Sequence, residues 1–113
     1  MNMKKTSDII LRVTTDENKI PEAINWSAQD GGVENEEAKA AFLSVWDHKS
    51  KESLRIDLWT KDMPVDEMKH FFHKTLVTMS DTYYRATQDE KMSETMKDFC
   101  AYFAEKLELN DDH

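Results

Sequence analysis

Three side chains near the start of a predicted helix have the chemistry of metal ligands. Glu67, His70 and His73 follow one another at intervals of three residues. One carboxylate and two imidazoles suit a transition metal, and di-iron helical bundles use Glu-x-x-His spacing. Those bundles need further carboxylates from facing helices, and two steps of three residues turn the helix face by about 120°. We therefore interpret the three residues as a solvated helix side and keep a metal site as the alternative.

The single cysteine, Cys100, is the other reactive group. A hydrolase would need a nucleophile, a base and an orienting group that meet in space. Cys100 would meet His70 or His73 only if two helices brought them together, and no local signature indicates this. Its apolar helical surroundings are typical of a small buried thiol. With no P-loop, CxxC or HExxH motif, the sequence predicts no catalytic residue, no cofactor and no enzyme activity.

A predicted hairpin of residues 38–48 and 53–60 carries the third group of candidates. Alternation places one aliphatic set on a common face: Ala41, Leu43, Val45, Leu54, Ile56 and Leu58. The opposite face mixes large rings with charges, where a one-sided sheet would be mostly polar. Such a composition is typical of a protein contact. We predict partner binding by Phe42, Trp46, Arg55, Asp57 and Trp59. The alternative is that the N-terminal hairpin or residues 36–41 cover these rings.

Composition limits the classes of function that remain. The chain has 113 residues, 39% of them hydrophobic and 34% charged, which indicates one globular domain spanning residues 1–113. Its net charge of −8 opposes binding to nucleic acid or anionic lipid. The N-terminus lacks the apolar region of a signal peptide, and no apolar run reaches transmembrane length. We therefore expect a cytoplasmic protein without direct membrane insertion.

Periodicity predicts four strands followed by two helices. The strands are residues 8–14, 20–28, 38–48 and 53–60, and the loop at residues 29–35 holds both glycines. Asp62 or Met63 is predicted to cap the first helix, with Pro64 in its first turn. Its apolar stripe recurs every three or four residues: Val65, Met68, Phe72, Leu76, Met79, Tyr83 and Ala86.

Thr87 and Glu90 match a capping box, which predicts a second helix directly after the first. Two long helices with so short a connection fold back as an antiparallel hairpin; one kinked helix of about 45 residues is the alternative. Residues 110–113 are predicted to fray. The predicted fold is therefore α+β, a four-stranded antiparallel sheet in the order ββββαα, with the helical hairpin on its aliphatic face.

The segment from Leu43 to Leu76, LSVWDHKSKESLRIDLWTKDMPVDEMKHFFHKTL, resembles the gliding-motility-associated GldC family. The helix ending DFCAYFAEKLEL and the earlier stretch NKIPEAINWSAQDGGVENEEAKA resemble the same family, so the similarity runs from about Ser7 to Leu109. The longest shared motif is VWDHK…LRIDLWTKDMPVDEM. The Lys-rich start and the final DDH differ from the family pattern.

The resemblance implies a small non-enzymatic accessory protein of bacterial surface gliding. It brings no catalytic motif, and the expected partner is a protein of the gliding machinery or a second copy of the chain. Two alternatives stay open. One is a regulatory protein that binds a metal or a small molecule through Glu67, His70 and His73. The other is a cytoplasmic chaperone or adaptor for a secretion or motility component.

Overall fold

The computed structural model describes residues 3–109, which form five strands and two long helices. The elements are β1 (Ile9–Thr15), β2 (Pro21–Ala28), β3 (Val33–Ala38), β4 (Ala40–Trp46), β5 (Ser53–Trp59), α1 (Val65–Thr87) and α2 (Glu90–Lys106). The chain divides into two compact units, a strand unit (Met1–Met63) and a helical unit (Pro64–His113). The prediction of one domain stays a prediction, and residues 110–113, predicted to fray, lie outside the described residues.

The first sheet has three antiparallel strands in the order β1-β2-β3. Ile24 lies on the central strand, opposite Val13 of β1 and Ala38 of β3. Covered from both sides, its side chain is 0% exposed and forms the centre of the strand unit. Asp16 shapes the β1–β2 turn, because its Oδ1 accepts from the backbone N–H groups of Asn18 (2.8 Å) and Ile20 (3.0 Å).

The second sheet is a two-stranded ribbon of β4 and β5. The prediction of one four-stranded sheet is therefore wrong, since five strands form sheets of three and two. The predicted hairpin itself is confirmed, with Leu43 opposite Ile56 and Val45 opposite Leu54. Residues directly opposite share a face, so the aliphatic set is on one side as alternation predicted. The placement of the helices on that side stays a prediction.

β3 was missed because its side chains give almost no strand signal. Its sequence, VENEEA, is rich in acidic residues, which are depleted in strands. Its pairing with β2 decides the conformation. Gly32 has φ of 74°, a conformation that glycine adopts without strain, and Asn35 donates its N–H to Ser27 Oγ at 2.9 Å.

A bend at Lys39 separates β3 from β4 and thereby separates the two sheets. The Lys39 carbonyl accepts the Thr60 N–H at 2.8 Å, and Lys39 Nζ lies 2.7 Å from Asp62 Oδ2. Thr60 is 1% exposed, and its hydroxyl donates to Asp62 Oδ1 at 2.6 Å. Next to it, Lys61 donates its N–H to the Pro21 carbonyl at 3.0 Å. We call Lys39, Thr60, Lys61 and Asp62 the corner.

The helical unit is an antiparallel hairpin, which confirms this prediction over a single kinked helix. Ser93 Oγ donates to the Ser80 carbonyl at 3.0 Å, and Lys97 Nζ lies 2.7 Å from Asp81 Oδ1. The buried residues of the contact are small or polar: His73, Ser80, Ser93 and Cys100. Small side chains let helices approach closely, so the contact runs beside the predicted apolar stripe. Between residues 3 and 109, neither helix has a stretch long and apolar enough to span a bilayer.

The helix ends differ from prediction because their side chains are used elsewhere. Pro64 is the N-cap of α1, and the Asp62 carboxylate binds at the corner. The capping box of Thr87 and Glu90 is also wrong. Asp89 caps α2 by accepting the Met92 N–H at 3.1 Å, while Thr87 Oγ1 donates back to the Tyr83 carbonyl at 2.8 Å.

Removing the buried hydroxyl of the corner should destabilise the strand unit. Thr60→Val keeps the side-chain shape and the backbone N–H that binds the Lys39 carbonyl, but leaves the Asp62 carboxylate without the hydroxyl donor. We expect a loss of about 1–2 kcal/mol in the free energy of unfolding, measured by urea denaturation. Thr14→Val, at an exposed position of β1, is the control, and equal stability of the two variants would contradict the role of the corner.

Acid should weaken the same corner. The hydrogen bond from Lys39, followed by that from Thr60, holds the pKa of Asp62 below its ordinary value of 3.8. A lowered folded-state pKa contributes stability above pH 3.8 that is lost as the pH falls through the lowered pKa. We expect Asp62→Asn to flatten this acid limb in thermal unfolding measured between neutral and low pH. Asp66→Asn, which removes the same charge in α1, should leave the limb steep.

Candidate functional site

The face of the ribbon opposite the aliphatic set holds the five predicted contact residues, and we call them the aromatic face: Phe42, Trp46, Arg55, Asp57 and Trp59. They share one side because Phe42 lies opposite Asp57, Trp46 opposite Ser53 and Ala40 opposite Trp59. The strand pairing thus brings all five to one surface. It also places the two tryptophans at opposite ends of the ribbon, about 20 Å apart at six residues of strand.

A polar network occupies the middle of the aromatic face. Arg55 donates to Asp57 through Nη2 (2.8 Å) and Nε (3.2 Å), and through Nη1 to Ser44 Oγ at 3.2 Å. Ser44 Oγ lies 3.2 Å from Ser53 Oγ. The guanidinium also stands 5.8 Å from the centre of the Phe42 ring. The hydrogen bond from Arg55 to Asp57, together with the negative charge of Asp57, raises the pKa of Arg55.

The two tryptophan rings of this face are exposed. Trp46 is 67% exposed and Trp59 is 54% exposed. For these two rings, the alternative in which the N-terminal hairpin or residues 36–41 bury them is therefore wrong, while Phe42 is half-buried. Residues 36–38 instead belong to β3 and pair with β2. Sequence reasoning omitted Ser53 from the site, although the hairpin register that places it beside Trp46 follows from the turn between the two strands.

The metal candidates do not form a cluster on α1. Glu67 is exposed, His70 is half-buried, and His73 is buried. The His73 ring stacks on Phe103 of α2 with centroids 6.1 Å apart and planes 15° from parallel. Across residues 3–109, no group of three or more His, Cys, Asp or Glu side chains is placed to hold a metal ion. His73 is accordingly part of the helix contact.

Cys100 lies in the same helix contact, beside a groove of about 260 Å³ lined by Leu76, Thr95, Met96 and Phe99. Burial raises the pKa of its thiol, and the nearby Lys97 only partly opposes this. A nucleophilic cysteine needs a stabilised thiolate. The environment of Cys100 favours the protonated thiol, in keeping with the predicted structural role.

Comparison with known families finds a matching family model. The family model of gliding motility-associated GldC-like proteins matches residues 21–109. This match covers most of the chain, from β2 to the end of the helical unit.

The chain belongs to the GldC-like family. The resemblance predicted from the ribbon and helix motifs is confirmed, although the family match begins at residue 21, after β1. The GldC-like region includes the complete aromatic face, the corner and both helices. No curated protein sequence and no solved structure matches the chain significantly.

The position of His73 in this GldC-like chain generates a stability test. Its Nδ1 is buried with no hydrogen-bond partner among the described residues. His73→Phe keeps a flat ring against Phe103 and removes the unpaired nitrogen. We therefore expect the free energy of unfolding to rise by about 1 kcal/mol. Thermal unfolding measures the change, with His70→Phe as the control. A loss of stability together with release of a stoichiometric metal, measured by elemental analysis, would instead support the metal site.

Proposed function

We propose that the chain is a non-enzymatic accessory protein of gliding motility that binds a protein component of the gliding machinery through its aromatic face. The proposal places it in the cytoplasm. Membership of the GldC-like family supports the process. The observation that carries the binding site is the exposure of Trp46 and Trp59 on one face of the ribbon.

The chemistry of these side chains suits a protein contact. Tryptophan and arginine are enriched among the residues whose truncation most weakens protein complexes, because they bury large areas while retaining a polar group. Trp46 and Trp59 supply the apolar area. Arg55 supplies a planar donor group that is already oriented by Asp57.

The internal pairing of the polar network supports binding in a second way. Burying an unpaired charge is costly, whereas Arg55 and Asp57 enter an interface already bonded to each other. Their net charge is zero, so the centre of the face repels neither an acidic nor a basic partner. The net charge of −8 over the whole chain then favours partners that present neutral or basic surfaces around this contact.

Removing both tryptophan rings tests the proposal. We expect Trp46→Ala with Trp59→Ala to lose the partner in a crosslinking pull-down from the native gliding cell. The chain should remain folded by circular dichroism, because both rings are exposed. The loss should be at least about tenfold, since truncating even one hot-spot tryptophan costs about 2 kcal/mol or more.

The matched control is Tyr102→Ala, which removes an exposed ring from α2. It should recover the same proteins as the wild type, identified by mass spectrometry, and support the same colony spreading. If the double tryptophan variant is folded and still recovers the wild-type set of proteins, the aromatic face is not the binding site.

A further inference from the structure

The outer edge of β5 is unprotected. Within residues 3–109, β5 is paired with β4 alone, and this pairing runs without a register shift from Ser53 to Trp59. Edge strands usually avoid association through proline, inward lysine or a bulge. The segment SLRIDLW contains no proline, glycine or lysine. It is a straight edge that can accept another strand.

The bonds at the two ends of the ribbon show which backbone groups point outward. Asp47 donates its N–H to the Glu52 carbonyl at 2.8 Å, and Thr60 donates to Lys39 at 2.8 Å. Antiparallel strands alternate between bonded and non-bonded pairs, so the even-numbered residues of β5 bond to β4. The N–H and C=O groups of Arg55 and Asp57 therefore point to the open edge, as do those of Ser53 and Trp59.

The sequence of this edge is complementary to itself. Around Ile56, the order is Leu54-Arg55-Ile56-Asp57-Leu58. Read in the opposite direction, leucine replaces leucine, isoleucine remains central, and aspartate takes the place of arginine. Two copies of β5 aligned antiparallel at Ile56 would therefore place opposite charges together at both charged positions.

We infer that β5 pairs with β5 of a second copy of the chain, so that two ribbons form one four-stranded sheet around a two-fold axis. Arg55 then faces Asp57 of the partner subunit, and the outward backbone groups of both residues form the new hydrogen bonds. Leu54 faces Leu58 of the partner subunit in a non-bonded pair, where side chains approach most closely. This inference goes beyond the proposed function, because it concerns the strand edge and not the binding of a motility protein.

The charge pattern favours a second copy of the chain as the partner, and it favours β5 over β4 as the strand that pairs. The whole chain carries −8, which makes copies repel each other, but the segment Ser53–Trp59 carries one positive and one negative charge. The sequence of β4 offers no such complementarity, since antiparallel pairing about Leu43 would place Phe42 opposite Ser44. Cross-strand pairs of opposite charge stabilise an antiparallel sheet, and like charges destabilise it.

Charge reversal tests the pairing with the full chain in sedimentation velocity and native mass spectrometry. Arg55→Asp places aspartate opposite Asp57 of the partner subunit, and Asp57→Arg places arginine opposite Arg55 of the partner subunit. Each change acts twice in a symmetric dimer, so we expect each variant to dimerise at least about tenfold more weakly than the wild type. The double variant R55D/D57R restores opposite charges and should dimerise like the wild type.

Mixing the two single variants separates contacts between chains from contacts within one chain. A chain with two acidic residues at 55 and 57 complements a chain with two basic ones, so the mixture should form heterodimers that neither variant forms alone. A purely internal Arg55–Asp57 pair cannot produce this result. Amide hydrogen exchange should also slow with increasing wild-type concentration at Arg55 and Asp57, while Phe42 and Ser44 on the β4 edge stay unchanged.

Lys49→Asp is the matched control, because it changes the net charge as much as Arg55→Asp and lies in the turn of the same ribbon. It should leave dimerisation unchanged, and circular dichroism should show that every variant is folded. A wild-type chain that stays monomeric at about 100 µM would overturn the inference. So would a dimer that Arg55→Asp and Asp57→Arg leave intact, or a mixture that forms no heterodimer.

Discussion

The bend at Lys39 is the constraint on which the strand unit depends. Lys39 is the one residue between β3 and β4. At this bend the chain leaves the first sheet and enters the ribbon. The Lys39 carbonyl binds Thr60, its ammonium group binds Asp62, and Lys61 next to them binds Pro21 and Asp16. A single site thus joins the end of β5 to both β2 and the bend, which ties the two sheets together at their shared end.

This arrangement also explains why much of the ribbon is exposed: it does not pair with the first sheet. If β4 and β5 had continued the first sheet, β3 would have paired with one of them and fewer strand edges would be open. The chain leaves the corner as a separate pair of strands, and each face of this ribbon carries exposed side chains. Isolated two-stranded ribbons are only marginally stable in water. A ribbon of this kind would gain stability from a protein that covers its face or extends its edge, as the proposed interactions require.

Alternation was a reliable guide where side chains and backbone pairing agree. It predicted the ribbon, the separation of Leu43 and Ile56 from Trp46 and Trp59, and the first hairpin, since each strand shows a regular two-residue repeat. It failed for β3, where strand pairing overrides an acidic sequence with little strand preference. It also failed for the number of sheets, because the bend at Lys39 depends on bonds to residues about 20 positions later in the chain. Helix periodicity identified both helices but not their contact. Ser80 and Ser93 lie in that contact because small side chains let the helices approach closely, and the apolar pattern does not include them.

The opposite placement of Trp46 and Trp59 has a consequence for how binding would depend on assembly. In one chain about 20 Å of strand separates them, but in the proposed pair Ser53 is flanked by Trp46 on one side and Trp59 of the partner subunit on the other. The two rings then occupy one row, about 10 Å apart across two strand spacings. The two-fold axis creates two such rows per sheet. A bivalent target would meet both rows together, and through avidity it would bind the paired chains more tightly than a single chain.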